Sequence, residues 1–261
     1  MAERPPLWPV FVAYVGAFAA IVLLSVLGAG VVRVLYPDLP EQVVFEGLPG
    51  LLAGGIASST GLLMTVLIAS RGAPLAGLRL VPGRETGRTL VIMAIGTLAL
   101  GQMLDSLIML AGLGQKGTMV MIRHALAGAV GPDLFLAVVV IGVLAGTTEE
   151  AFFRGYMQTR LGERLPPAAA VVITSTCFGV LHLEWLHAGL AFALGLYLGW
   201  ITELAGSALP AVVCHVINNA LFTILTALWG TLEGFGLNAG LATVSSLAFV
   251  GCVLWLHRRR P

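Results

Sequence analysis

Apolar runs close to 20 residues long follow one another along this 261-residue chain, and no other feature restricts its fold as strongly. About 20 apolar residues cross the ~30 Å hydrocarbon core of a bilayer as a helix, and every backbone N–H and C=O must then be paired within the protein. Hydropathy gives eight spans, at about 7–33, 47–70, 89–113, 134–158, 167–184, 187–204, 207–229 and 238–257. The mean hydropathy of +0.96 and a charged fraction of only 10% agree with this. The expected fold is all-α, a polytopic membrane helix bundle forming one domain over 1–261. Its Gly/Pro-rich connections, "GAPLAGLRLVPGRETG" and "GERLPP" among them, are loops rather than linkers between soluble domains.

The first run follows a single arginine and shows no short apolar core with a small-residue cleavage site, so it is expected to be a retained helix. Cys177, Cys214 and Cys252 are odd in number and lie in apolar segments, which offers neither a disulfide framework nor CxxC metal spacing; they are expected to be packing residues. A net charge of +1 with no basic stripe argues against a nucleic-acid partner.

The basic residues are unevenly divided between the connections. With the N-terminus inside, Arg4, Arg71, Arg79, Arg84, Arg88, Arg154, Arg160, Arg164, Arg258, Arg259 and Arg260 fall on the cytoplasmic side. Only Arg33, Lys116 and Arg123 fall on the other. The positive-inside rule therefore places both termini in the cytoplasm.

Ionisable groups within the hydrocarbon cost roughly 2.5–3.5 kcal/mol each on insertion scales, so each needs a partner, a water-filled cavity or a function. In "TTEEAFFRG", Glu150 and Arg154 stand four apart on one helix face, and Glu149 lies about 100° around the axis. Arg154 can thus neutralise Glu150 and leave Glu149 free. "CFGVLHLEW" carries His182 one turn after Phe178, and "AVVCHVINNALF" sets His215 and Asn219 four apart with Asn218 beside them. Plain readings exist for each: a helix-end ion pair, a hydrogen-bonded core histidine, a polar contact between helices. From their inferred cytoplasmic ends, however, Glu149, His182 and His215 all lie on the order of 10–20 Å deep. A carboxylate with an imidazole can activate water, and a histidine–asparagine face can donate to an oxyanion. Alternatively, Glu149, His182 and His215 form a two-histidine, one-carboxylate set suited to zinc. Either chemistry points to peptide-bond hydrolysis. Glu184 and His187 in "HLEWLH" are expected to be helix-end residues, and Asp105 is expected to be buried and to pair with a polar neighbour or line the cavity.

These residues resemble the CAAX prenyl endopeptidase and bacteriocin-processing family of intramembrane proteases, also called the ABI family. Its three motifs are EExxxR, FxxxH, and a histidine followed four residues later by asparagine or a small residue. Here they read "EEAFFR" from Glu149 to Arg154, "FGVLH" from Phe178 to His182, and "HVINN" from His215 to Asn219, within a motif-bearing core of about 130–225. The resemblance implies that Glu149 and His182 activate the attacking water. It further implies that His215 and Asn219 stabilise the oxyanion, while Glu150 and Arg154 brace the site. It leaves zinc or no metal as the cofactor alternatives. The implied substrate is a membrane-associated protein or peptide, met in the lipid bilayer. High Ala, Gly, Leu and Arg usage is compatible with a GC-rich bacterial genome, and hence with a bacterial inner membrane. The competing readings are a non-catalytic immunity or scaffold protein of the same fold, and a transporter using the charges as a proton relay. No inverted repeat supports transport, and scaffolding gives no reason to keep the full set of carboxylate, histidines and asparagine.

Overall fold

The computed structural model describes residues 6–258. Arg4, Arg259 and Arg260, which contribute to the charge asymmetry, lie outside the described residues. The chain is all-helical, with no strand among the described residues. The long elements are α1 (Trp8–Leu35), α3 (Leu48–Ser70), α4 (Gly87–Leu110), α6 (Gly131–Gly162), α8 (Trp185–Ala205), α9 (Leu209–Trp229) and α10 (Phe235–His257). These seven are long and apolar enough to cross a membrane, and the protein is an integral membrane protein. Among the described residues there are also three shorter α-helices, α2 (Glu41–Phe45), α5 (Thr118–Leu126) and α7 (Pro167–Val180), and a 3₁₀ turn at Leu75–Leu78.

The segment expected to span over 167–184 is α7, only 14 residues long. At 1.5 Å per residue it reaches about 21 Å, less than the ~30 Å core. Hydropathy joins it to the apolar turn that follows, where Leu183 adopts a left-handed backbone (φ 62°) and ends the helix. The fourth span is longer than expected, 32 residues, because wide π-helical turns at Val138–Ala145 and Ala151–Gln158 continue it on both sides of Gly146–Glu150.

Helix starts follow local chemistry. Pro9, Pro49, Pro132, Pro167 and Pro210 stand in first turns, where the missing N–H costs nothing. Thr86 and Thr89 cap α4 reciprocally, the Thr89 backbone N–H donating to Thr86 Oγ1 at 3.3 Å and the Thr86 N–H to Thr89 Oγ1 at 2.6 Å. Glu184 caps α8 through the N–H groups of Leu186 and His187, and Gly206 (φ 70°) ends it with a left-handed residue.

Alternate connections gather at opposite ends of the bundle. At one end the Ala205 carbonyl accepts the Arg84 N–H, the Arg79 carbonyl accepts the Ala208 N–H, and Arg88 lies over the Trp255 ring. This end holds the 71–88 loop and is rich in arginine. At the other, Gln115 donates to Glu233, Thr118 meets His187, and the Gly128 N–H donates to Ala227.

Two buried clusters hold the bundle. One joins α1, α3, α6, α7 and α8 through Ala17, Leu62, Phe152, Phe153, Phe178 and Ala191. The other joins α4, α8, α9 and α10 through Met93, Leu198, Ile201, Cys214 and Leu256. The close approach of α6 to α9 depends on "GVLAG": a Cβ on Gly142 would sit 3.0 Å from Ala220 Cα, and one on Gly146 would sit 3.1 Å from Val216 N. This small-xxx-small spacing lets the two backbones meet, as in other membrane helix pairs.

Candidate active site

Because Gly142 and Gly146 seat α6 on α9, the next turn of α6 places Glu149 and Glu150 against His215. The two glutamates are about 100° apart on their helix and straddle the imidazole. His215 Nδ1 lies 2.8 Å from Glu150 Oε1, and His215 Nε2 lies 3.7 Å from Glu149 Oε2. An ionised carboxylate only accepts, so Nδ1 carries the proton that it gives to Glu150, and Nε2 is the nitrogen turned toward Glu149.

Glu150 is engaged twice through one oxygen. Its Oε1 also accepts from Arg154 Nη1 at 2.8 Å, and both side chains are wholly enclosed, at 0% exposure. The guanidinium in turn donates from Nη2 to the Gly195 carbonyl at 3.0 Å and lies 4.8 Å over the Phe178 ring. A fork of donors suits this combined carboxylate, carbonyl and aromatic surrounding better than an ammonium would. Glu149, by contrast, has no bond to Arg154 and keeps 15% of its side chain exposed. The four-residue spacing therefore separates a bracing carboxylate from an open one.

Phe178 packs edge-on against both imidazoles, with ring centroids 5.0 Å from His182 and 5.9 Å from His215. His182 Nδ1 is 2.8 Å from the Phe178 carbonyl. A carbonyl only accepts, so that nitrogen is the N–H and neutral His182 presents the Nε2 lone pair. Asn219 donates from Nδ2 to the Ile141 carbonyl at 3.3 Å and accepts from Asn218 Nδ2 at 3.3 Å. That leaves its second Nδ2 hydrogen for another acceptor. Asn218 is itself seated where Gly101 of α4 leaves room, since a Cβ there would meet Asn218 Oδ1 at 2.7 Å.

Three further residues have clear places. Glu184 is a helix-end residue, as expected, and the Leu186 N–H foremost among its donors holds its carboxyl below the ordinary range. His187 is more than that: its ring lies 4.3 Å from the His182 ring, and its Nδ1 lies 3.2 Å from Thr118 Oγ1. Asp105 pairs with Arg123 of α5. The bond from His215 to Glu150 crosses between helices, so no spacing within a motif announces it.

The alternative zinc set, Glu149, His182 and His215, is not arranged as a ligand group: among the described residues no three His, Cys, Asp or Glu side chains are placed to hold one ion. His215 and His182 each engage Nδ1 with an acceptor within the protein, which leaves Nε2 of both rings toward the site.

No curated protein and no solved structure matches the chain. A family model does: residues 131–221 match the type II CAAX prenyl endopeptidase Rce1-like family. The matched segment runs from the first turn of α6 into α9 and contains all three motifs. Over 131–221 this membrane protein is similar to the type II CAAX prenyl endopeptidase Rce1-like family, a likeness that supports a CAAX-type intramembrane protease at the level of that family.

Proposed function

We propose that the chain is an endopeptidase that hydrolyses a peptide bond of a membrane-associated protein or peptide within the bilayer, using water activated by Glu149. The observation that carries this reading is His215 held between two carboxylates, Glu150 at 2.8 Å and Glu149 at 3.7 Å, with only Glu150 neutralised by Arg154.

In this reading Glu149 takes a proton from water while the His182 Nε2 lone pair orients that water. The new O–C bond forms at the scissile carbonyl, whose electron pair moves to oxygen. That oxyanion receives hydrogen bonds from the second Nδ2 hydrogen of Asn219 and from Nε2–H of His215 in its doubly protonated form, with Glu150 balancing the charge at Nδ1. Glu149 then returns its proton to the departing amine as the C–N bond breaks. Glu150 and Arg154 hold His215 throughout. The arginine-rich end faces the cytoplasm of a bacterial inner membrane, following the positive-inside rule.

The test is a peptidase assay on the purified protein in lipid vesicles with membrane-associated peptides, comparing it with Glu149→Gln. The amide keeps the shape and removes the base, so turnover falls about 10²- to 10⁴-fold while the unfolding temperature holds. A folded Glu149→Gln protein with full activity would overturn the assignment.

A further inference from the structure

From the active-site ion pair toward the arginine-rich end, α6 and α8 are joined by a repeating set of polar contacts that the proposed reaction does not use. Arg154 donates to the Gly195 carbonyl at 3.0 Å, and one turn on, Gln158 Nε2 donates to the Gly199 carbonyl at 3.0 Å. Both contacts join residues 41 apart in sequence, so they are successive rungs of one register. Gln158 uses its Nε2 again, to Glu203 Oε1 at 2.7 Å, and the same oxygen accepts from Arg79 Nη1 at 2.7 Å. Arg79 also reaches the Thr202 carbonyl at 3.0 Å, and Arg84 reaches those of Glu203 and Leu204 at 3.1 and 3.2 Å, which ties the 71–88 loop to the last turn of α8.

The notch that admits these side chains is made by two glycines. A Cβ on Gly195 would lie 3.1 Å from Arg154 Nη2, and one on Gly199 would lie 2.9 Å from Gln158 Oε1. Gln158 itself is 1% exposed, between Met157 and Leu161 of the apolar cluster. Its Oε1, like Arg154 Nε and Glu150 Oε2, is enclosed with no protein partner. A half-satisfied amide in such a place costs stability compared with a well-packed leucine. Packing alone gives no reason for it, whereas register does. Sliding α6 by one residue moves it ~1.5 Å and turns it ~100°, which breaks both rungs and carries Glu149 and Glu150 away from His215.

We infer that Gln158 and Glu203 are positioning residues for the proposed hydrolysis: they fix α6 axially on α8, and so fix the glutamate pair against His215 on α9. The inference rests on the assignment of Glu149 and His215 as reacting groups. Neither Gln158 nor Glu203 touches substrate. They act through Arg154, whose rung shares their register and whose other hydrogen bond holds Glu150.

The experiment compares Gln158→Leu, Glu203→Leu, Glu203→Gln and the double variant Gln158→Leu/Glu203→Leu in the vesicle peptidase assay, with Glu149→Gln alongside. Gln158→Leu removes both donated bonds and keeps an apolar side chain of suitable bulk. Its kcat falls about 10- to 100-fold, as a misplacement near 1 Å produces, with KM unchanged and the unfolding temperature equal to or above that of the parent. Glu203→Leu behaves the same way. Glu203→Gln keeps an acceptor for Gln158 and Arg79 and retains most of the activity. The double variant is no slower than Gln158→Leu alone, because that change already removes the bond to Glu203. Parent-like kcat in Gln158→Leu, or losses that multiply in the double variant, would overturn the inference. If Gln158→Leu does not fold, the contrast between Glu203→Leu and Glu203→Gln decides it, equal activity in the two counting against. Loss of activity in Glu149→Gln beside unaffected Gln158 and Glu203 variants removes the positioning role and leaves the hydrolytic reading standing. Activity surviving in Glu149→Gln removes the hydrolytic reading itself.

Discussion

Helices α1 and α8 reverse the order that hydropathy would suggest. α1 is the most apolar of the seven long helices, at a mean hydropathy of 2.6, yet only 11% of its most apolar window is enclosed. α8 is the least apolar, at 1.4, and the most enclosed, at 44%. In water the more apolar helix would be the inner one. In hydrocarbon an apolar side chain gains nothing by leaving lipid, so the interior goes to helices that pack closely through small residues and pair their polar groups. α8 has Gly195 and Gly199 on its seam with α6, and α1 presents Val15, Val22, Val26 and Leu35 to its surroundings.

The widest separation between inner and outer helices is expected where a charge pair is broken. Arg154→Leu leaves the enclosed Glu150 without its guanidinium partner, a change typically costing about 3–5 kcal/mol. Val26→Ala on α1, at a side chain 67% exposed, should stay within about 0.5 kcal/mol. Reversible unfolding in mixed detergent micelles measures both, and equal losses would show that α1 is packed against something outside this chain.

A second pair sharpens the role of close approach. Gly146→Leu inserts a side chain where a Cβ alone would lie 3.1 Å from Val216 N, an overpacking cost of about 1–3 kcal/mol. Gly240→Leu on α10, where a Cβ meets nothing within 4 Å, should be neutral or slightly stabilising as helix propensity improves. Peptidase activity should fall with the first substitution and not with the second, because α6 would be lifted from α9 and the glutamates from His215.

The smallest effect concerns the helix starts. α8 begins with a side-chain cap from Glu184, and α1 begins with none. The Glu184 carboxyl is held below its ordinary value by the N–H donors of Leu186, His187 and Thr118. A carboxyl lowered in the folded state contributes stability that is present above its unfolded pKa and lost as the pH falls through the folded one. Glu184→Gln should therefore lower the unfolding temperature slightly at neutral pH, with the difference shrinking in acid below the normal carboxylate range. A difference that grows in acid would refute the capping role.

Much of this organisation is legible in the sequence. The spans follow from run length, and the Glu150–Arg154 pair follows from a spacing of four on a helix. The ends of the fourth and sixth spans were harder to read. Gln158 and Glu203 lie at or one residue inside those expected ends, where polar side chains are ordinary, so nothing distinguishes them from solvated residues until α6 extends to Gly162 and the two side chains meet. α5 escapes for a related reason. It is nine residues long, and its amphipathic pattern is too brief to register against the spans around it. The Glu150–His215 bond depends on how closely α6 and α9 approach, which "GVLAG" permits but does not specify.

The short reach of α7 has a consequence for the surrounding lipid. The helix, which turns Val172, Thr176 and Val180 outward, extends over about 21 Å, some 9 Å less than the hydrocarbon core. Beyond it stand Leu183 and Trp185, both exposed, and Trp is a side chain that settles at the headgroup level. Such a mismatch is relieved by local thinning of the bilayer along that flank. Thinning draws headgroups and their water inward on the side of the bundle where His182 closes the turn. The enclosed site would then lie at shallow depth from one leaflet, and the protein would be favoured in thin membranes over thick ones.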